Sequence, residues 1–314
     1  MVGCRKQVLR CRLETRDHSI LKLQMRLVGL LILAAAWAVA ADSTIQSNVV
    51  YGMYSGTALL MDVHRPATPN GYGIVYVSGS GWTSPMAYSS WELKSNAQSL
   101  QYAKPLVTAG YTVFTLNHRS LPRFHHPAAV EDVQRAVRFV RYNAVRFGIR
   151  ADRIGAAGGS SGGHLASMLG TLDGKGNPGD PDPVERESAK VQCVVARAAP
   201  TNLLKLQGNA YVGLRVPEPS EKNSIEYRTI FEASPISHVS PEDPPFLLMH
   251  GDKDESVPFA QSEEFEKALK ASGVTVKLLR VDGAGHGPSF PGATNPPDYL
   301  GEMVGWFNQY LIHQ

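Results

Sequence analysis

The chain has 314 residues, 43% hydrophobic and 19% charged, which excludes a disordered or fibrous protein and suits a single α/β domain with insertions. Its formal charge of +3 is unevenly placed: residues 1–40 hold seven of the 31 Lys/Arg and two of the 28 Asp/Glu, leaving 24 bases against 26 acids. A basic surface for nucleic acid is therefore not expected.

Residues 1–40 read as an N-terminal extension and a leader. An apolar run over 27–37 follows Arg26 and precedes Ala38-Val39-Ala40, an A-x-A cleavage signal. The apolar stretch is shorter than the roughly 20 residues a membrane span needs. The pattern predicts a signal peptide cut after Ala40, a secreted or periplasmic protein, and no stable membrane association once it is removed; an uncleaved anchor is the alternative. Met25-Arg26 is itself a normal signal-peptide start, so translation from Met1 and from Met25 both fit. Cys4 and Cys11 fall in the leader, and Cys193 is left in an apolar run as a buried, inert thiol.

Beyond the leader, 41–314 reads as one domain. Strands are expected over 49–53, 58–64 and 74–77, then a helix over 91–109 closed by Gly110, and a β-branched and aromatic strand over 111–116. A helix with apolar residues every three or four positions spans 127–147 and stops at Gly148. A strand over 153–157 runs into a turn of small residues and a helix over 162–172. After a Gly/Pro/charged loop at 173–190 comes an apolar strand at 191–198. A Pro-rich irregular segment at 200–245 follows, read as a small cap-like insertion over the site with one or two short helices. A strand (246–249), a helix (258–272), a strand (274–281) and a helix (298–311) close the chain. Strands alternating with helices predict a mostly parallel central sheet with helices on both faces, and the continuous apolar strands agree.

Candidate functional groups follow the strands, where open α/β sheets place their sites. The turn Gly158-Gly159-Ser160-Ser161-Gly162-Gly163 contains G-x-S-x-G in two overlapping frames, one centred on Ser160 and one on Ser161. That pattern holds a serine on a sharp strand-to-helix turn with its hydroxyl exposed. Asp252 and Asp254 follow the strand over 246–249, and His286 follows the strand over 274–281. A serine hydroxyl attacks only when a histidine takes its proton, and an acid orients that histidine. The order Ser, Asp, His along the chain suits this chemistry, and the glycine-rich Ser78–Gly81 turn suits backbone donors for an oxyanion. A phosphate site at the same turn would need a following Lys-Ser/Thr, which is missing; His118, His125 and His126 have no metal-ligand spacing. No cofactor and no metal are expected. Trp82 and Trp91 suit either a substrate pocket or the core.

From about Leu60 onward the chain resembles the α/β-hydrolase esterases of the hormone-sensitive-lipase and BD-FAE-like (feruloyl/acetyl esterase) group. The resemblance rests on V-S-G-S-G-W at 77–82, N-H-R-S-L at 117–121, H-P-A-A-V-E-D-V at 126–133 and A-G-G-S-S-G-G-H-L-A at 157–166. It continues in A-A-P-T-N-L at 198–203, P-P-F-L-L-M-H-G-D-K-D at 244–254 and G-A-G-H-G at 283–287, all in family order. The resemblance implies an α/β-hydrolase fold with Ser160 as nucleophile, Asp254 as acid (Asp252 in reserve) and His286 as base. It also implies an oxyanion hole from the N–H groups of Ser80, Gly81 and Ser161. Two departures stand out in the family's H-G-G-G-W loop, Ser78 for its histidine and Ser80 for its middle glycine; Ser161, where alanine is common, is a conservative change. The implied activity is a carboxylic-ester hydrolase for small acyl (acetyl- or feruloyl-type) esters, free or polysaccharide-linked. A prolyl-oligopeptidase-type serine peptidase is one alternative, although its propeller domain has no room in this length; an inactive binding protein on the same fold is another.

Overall fold

Eight strands and the helices between them make up the computed structural model, which describes residues 42–206 and 211–313. The expected leader, its cleavage site, Cys4 and Cys11 lie outside the described residues. The strands are β1 (Thr44–Tyr54), β2 (Thr57–Arg65), β3 (Gly73–Val77), β4 (Thr112–Leu116), β5 (Ile154–Gly159), β6 (Cys193–Arg197), β7 (Phe246–Gly251) and β8 (Val276–Val281). They form one sheet in the order β1-β2-β4-β3-β5-β6-β7-β8. The β1–β2 and β2–β4 pairs are antiparallel and the remaining pairs parallel, so the sheet is mostly parallel, as the alternating pattern predicts.

The central strands β3 to β7 are buried along their whole length because both faces are covered. In β3, Val75 and Val77 enter one core, and Ile74 and Tyr76 enter the other. The first core packs under α2 (Ala128–Tyr142) and α4 (Ser161–Thr171); the second packs under α1 (Ala97–Thr108) and α7 (Tyr299–Phe307). The buried free thiol of Cys193 lies in the second core, where burial pushes it well up from the usual thiol range.

Two expected helices are interrupted. The helix expected over 91–109 becomes a 3₁₀ turn, Leu93–Ser95, followed by α1, because the Asn96 side chain accepts the Ser99 N–H at 2.8 Å and starts a fresh helix. The helix expected over 127–147 breaks at Asn143 into α2 and the single turn α3 (Ala144–Phe147), with Gly148 at φ 68° as the left-handed stop. In the 200–245 segment the described residues hold a short helix, α5 (Ile225–Glu232), and 3₁₀ turns at Leu203–Lys205 and Pro235–His238. The helix α6 (Ala260–Ala271) leads into β8.

Two of the sequence motifs meet in space. Arg119 donates from its backbone N–H to Asp132 at 2.6 Å and from Nε to the same carboxylate at 2.8 Å, and both residues are buried. This bidentate pair fastens the segment after β4 to α2. Register then sets the site: Val77 lies opposite Gly158, Gly159 opposite Arg197, Arg197 opposite Met249 and Gly251 opposite Val281. The carboxyl ends of β3, β5, β6, β7 and β8 therefore open on one edge of the sheet.

Candidate active site

Ser160 sits between β5 and α4 with φ 55° and ψ −126°, a conformation that L-residues rarely adopt. Its neighbours explain the small residues. A Cβ on Gly158 would lie 2.3 Å from the Gly162 carbonyl oxygen, and one on Gly162 would lie 2.1 Å from that of Val77. Both obstacles are backbone and cannot move aside, so the sharp turn demands glycine on each side of Ser160. A Cβ on Gly79 would lie 2.6 Å from the Gly159 carbonyl oxygen, so the 78–82 loop lies directly against this turn.

The turn brings Ser160 to His286. Ser160 Oγ is 2.9 Å from His286 Nε2, and His286 Nδ1 is 2.6 Å from Asp254 Oδ2. The Asp254 carboxylate is inaccessible to solvent, and its Oδ1 accepts the N–H groups of Ser256 at 2.9 Å and Val257 at 2.8 Å. His250 Nε2 stands 3.3 Å from Oδ2 while its Nδ1 meets the Ser262 hydroxyl at 2.7 Å. Burial alone would raise the Asp254 carboxyl; hydrogen bonds from His250, His286 and the Val257 N–H outweigh it and hold the group well below the usual carboxylate range. Asp252, the reserve acid, is committed elsewhere: it accepts the Gly283 N–H at 2.7 Å and pairs with Arg280 at 2.8 Å.

The two serine frames separate in space. Ser161 occupies the first turn of α4, and its Oγ accepts the Ser80 N–H at 2.9 Å. A serine in place of alanine thus has a specific consequence, because it occupies one of the expected oxyanion donors. The Gly81 N–H has no protein acceptor among the described residues, and the Ser161 N–H is a first-turn donor that the helix leaves unused. Ser78 exchanges hydrogen bonds with Asn96, the residue that caps α1, at 2.7 and 3.0 Å. The hydroxyl thereby anchors the loop where the resembling esterases carry histidine.

Sequence reasoning missed several supporting residues. His164, in the G-G-H-L-A stretch, accepts the Trp82 indole N–H on Nδ1 at 3.2 Å and donates from Nε2 to the Ala233 carbonyl at 2.7 Å. It is fully buried, and burial drives its imidazole down to about 3, so it is neutral. Trp82 stacks on Tyr211 at 4.6 Å between centroids, which places it among the structural contacts, whereas Trp91 is exposed. Arg197, at the end of β6, is 2% exposed and donates from Nη1 to the Gly287 carbonyl at 2.8 Å. A lone arginine in the otherwise apolar run 193–199 was the available signal.

A family model described as BD-FAE matches residues 61–269. The chain belongs to the BD-FAE family. Esterase LipQ of Mycobacterium tuberculosis is 32% identical over 76% of this chain and 56% of its own length; the probable carboxylic ester hydrolase LipM of the same organism is 27% identical over 73% and 52%. The chain thus spans about half the length of the curated relatives it matches. Among solved structures, a truncated carbohydrate esterase from gut microbiota superposes with a TM-score of 0.69 at 27% identity, covering 87% of this chain and 98% of that one. An acetyl ester-xyloside bifunctional hydrolase from Caldicellulosiruptor lactoaceticus gives 0.71 at 25%, with the same coverage. These likenesses and the sheet order establish an α/β-hydrolase fold.

Proposed function

We propose that the chain is an exported serine carboxylesterase that cleaves small acyl esters through an acyl-serine intermediate. The observation that carries this reading is the hydrogen-bonded chain Ser160–His286–Asp254, with its two contacts at 2.9 and 2.6 Å. His286 Nε2 takes the hydroxyl proton as Ser160 Oγ adds to the ester carbonyl, and Asp254 holds the imidazole in the tautomer with the proton on Nδ1. The tetrahedral oxyanion is received by the N–H groups of Gly81 and Ser161, joined by Ser80 when its N–H exchanges the Ser161 hydroxyl for the oxyanion. Each such donor contributes about 2.7–4 kcal/mol to lowering the barrier. The imidazolium then protonates the departing alkoxide, and water repeats the sequence to release the acid.

The esterase relatives and the carbohydrate and acetyl-ester neighbours support acetyl groups on carbohydrates as the substrate class, and the A-x-A leader supports export. Purified protein should hydrolyse p-nitrophenyl acetate. Ser160→Ala should lose about 10⁶-fold in kcat, the scale seen when a nucleophile is removed. Ser161→Ala, which only frees the Ser80 N–H, should stay within about tenfold of wild type. Loss in Ser161→Ala with retention in Ser160→Ala would assign the other frame.

A further inference from the structure

Arg197 is buried at 2% exposure, and among the described residues no carboxylate pairs with it. Its Nε has no hydrogen-bond partner there either. An arginine buried in this way is disfavoured unless its placement serves something else. Three contacts show what it holds. Its backbone carbonyl accepts the N–H of Ser160 at 2.7 Å. Its Nη1 donates to the carbonyl of Gly287, the residue after His286, at 2.8 Å. Its Nη2 fills the space that a side chain on Gly159 would need, since a Cβ there would lie 2.5 Å away. Gly159, the first glycine of the overlapping frame, thus has a physical reason that the turn around Ser160 does not require: it makes room for the guanidinium and for the Gln98 amide, whose Nε2 would lie 2.6 Å from the same Cβ.

The surroundings make this arginine a principal fixing point of the histidine loop. Besides His286's own contact with Asp254, the loop's other outside tethers include the Tyr102 hydroxyl on the Pro288 carbonyl at 2.7 Å, Gln101 on the same oxygen at 3.5 Å, the Lys253 N–H on the Ala284 carbonyl at 2.9 Å and the Gly283 N–H on the Asp252 carboxylate at 2.7 Å. Of these, only Arg197 also bonds the Ser160 backbone. Tyr76 and Tyr102 stack at 5.6 Å, and both phenols feel the Arg197 charge.

We propose that Arg197 is a positioning residue: a single side chain and its own carbonyl clamp the serine turn and the His286 loop to each other, fixing the approach of Nε2 to the serine hydroxyl. This rests on the serine-esterase reading above. The planar fork matters, because a flexible ammonium on a shorter stem reaches the Gly287 carbonyl less rigidly.

The test compares wild type, Arg197→Gln and Arg197→Lys in p-nitrophenyl acetate hydrolysis, with thermal melting as a check on folding. The downfield proton resonance of His286 Nδ1–H is followed alongside. The expected result is a kcat lowered about 10- to 100-fold in Arg197→Gln with KM within about twofold, because misplacement by about an ångström disturbs the reacting geometry and not binding. The Nδ1–H resonance should broaden or vanish in Arg197→Gln and partly return, with kcat, in Arg197→Lys. Folded variants with wild-type kcat and an unchanged resonance would overturn the proposal, as would a change confined to KM. Failure of Arg197→Lys to fold would reduce Arg197 to a stability role and overturn it equally. Wild-type protein that hydrolyses no ester would instead refute the esterase reading, and the resonance would still report on the clamp.

Discussion

Ser160 is held at φ 55°, a backbone conformation that costs about 1–3 kcal/mol and persists only where the surroundings impose it. At the scale of single residues the proposed chemistry depends on how Asp254 is held. Its carboxyl stays ionised far into acid because His250, His286 and the Val257 N–H satisfy it, so its negative charge is present wherever the histidine works. Asp254→Asn keeps the size of the side chain but puts a donor where the His286 Nδ1–H needs an acceptor. The expected loss is about 10⁴-fold in kcat, read by steady-state kinetics on p-nitrophenyl acetate, with a lowered melting temperature because the bonds to the ionised carboxylate favour the folded state. Ser160, Asp254 and His286 stood out as candidates in the sequence because each follows a strand; around Ser160 and His286 the flanking small residues add a visible trace, while Asp254 was separated from Asp252 by the family resemblance alone. His164 and Arg197 were less legible. Their roles arise from contacts with Trp82, Ala233 and Gly287, far away in the chain, and no local pattern encodes a partner at that separation.

At the scale of elements, the turn between β5 and α4 is set by collisions that can be tested one at a time. Gly162→Ala would drive a methyl to 2.1 Å from the Val77 carbonyl oxygen. It should destabilise at or above the upper end of the roughly 1–3 kcal/mol typical of overpacking, and reduce activity with it. Gly305→Ala, in the exposed part of α7 with nothing within 4 Å of the new methyl, should instead be neutral or add up to about 1 kcal/mol. Chemical denaturation of both variants checks the pair. Strand positions were readable because the central strands are short and rich in apolar and β-branched residues. Helix breaks were harder: Asn96 and Asn143 sit inside stretches of helical spacing, and the periodicity of apolar residues carries no record of a side chain that bonds its own backbone.

For the whole molecule, the buried histidines dictate how the fold responds to acid. Burial drives His164 down to about 3 and His126 to about 4, so both are neutral in the native protein, whereas in the unfolded chain each takes up a proton below about pH 6.5. The unfolded state then binds more protons than the native state, and stability falls as pH drops from about 6.5 toward 4. Depressed carboxyls such as Asp254 add to the loss below about pH 4, where the unfolded group protonates first. Melting temperature followed from pH 7 to pH 4 should decline steadily. In His164→Gln it should start lower, by about 1–3 kcal/mol of stability, and decline less steeply.

The proposed activity depends on one serine being made nucleophilic by one histidine. A fluorophosphonate probe with tandem mass spectrometry of the modified peptide reads this directly, since both serines lie in the same peptide and fragmentation separates them. A single adduct on Ser160 is expected, formed rapidly in wild type and abolished in His286→Ala. Labelling at Ser161, or equal labelling with and without His286, would contradict it.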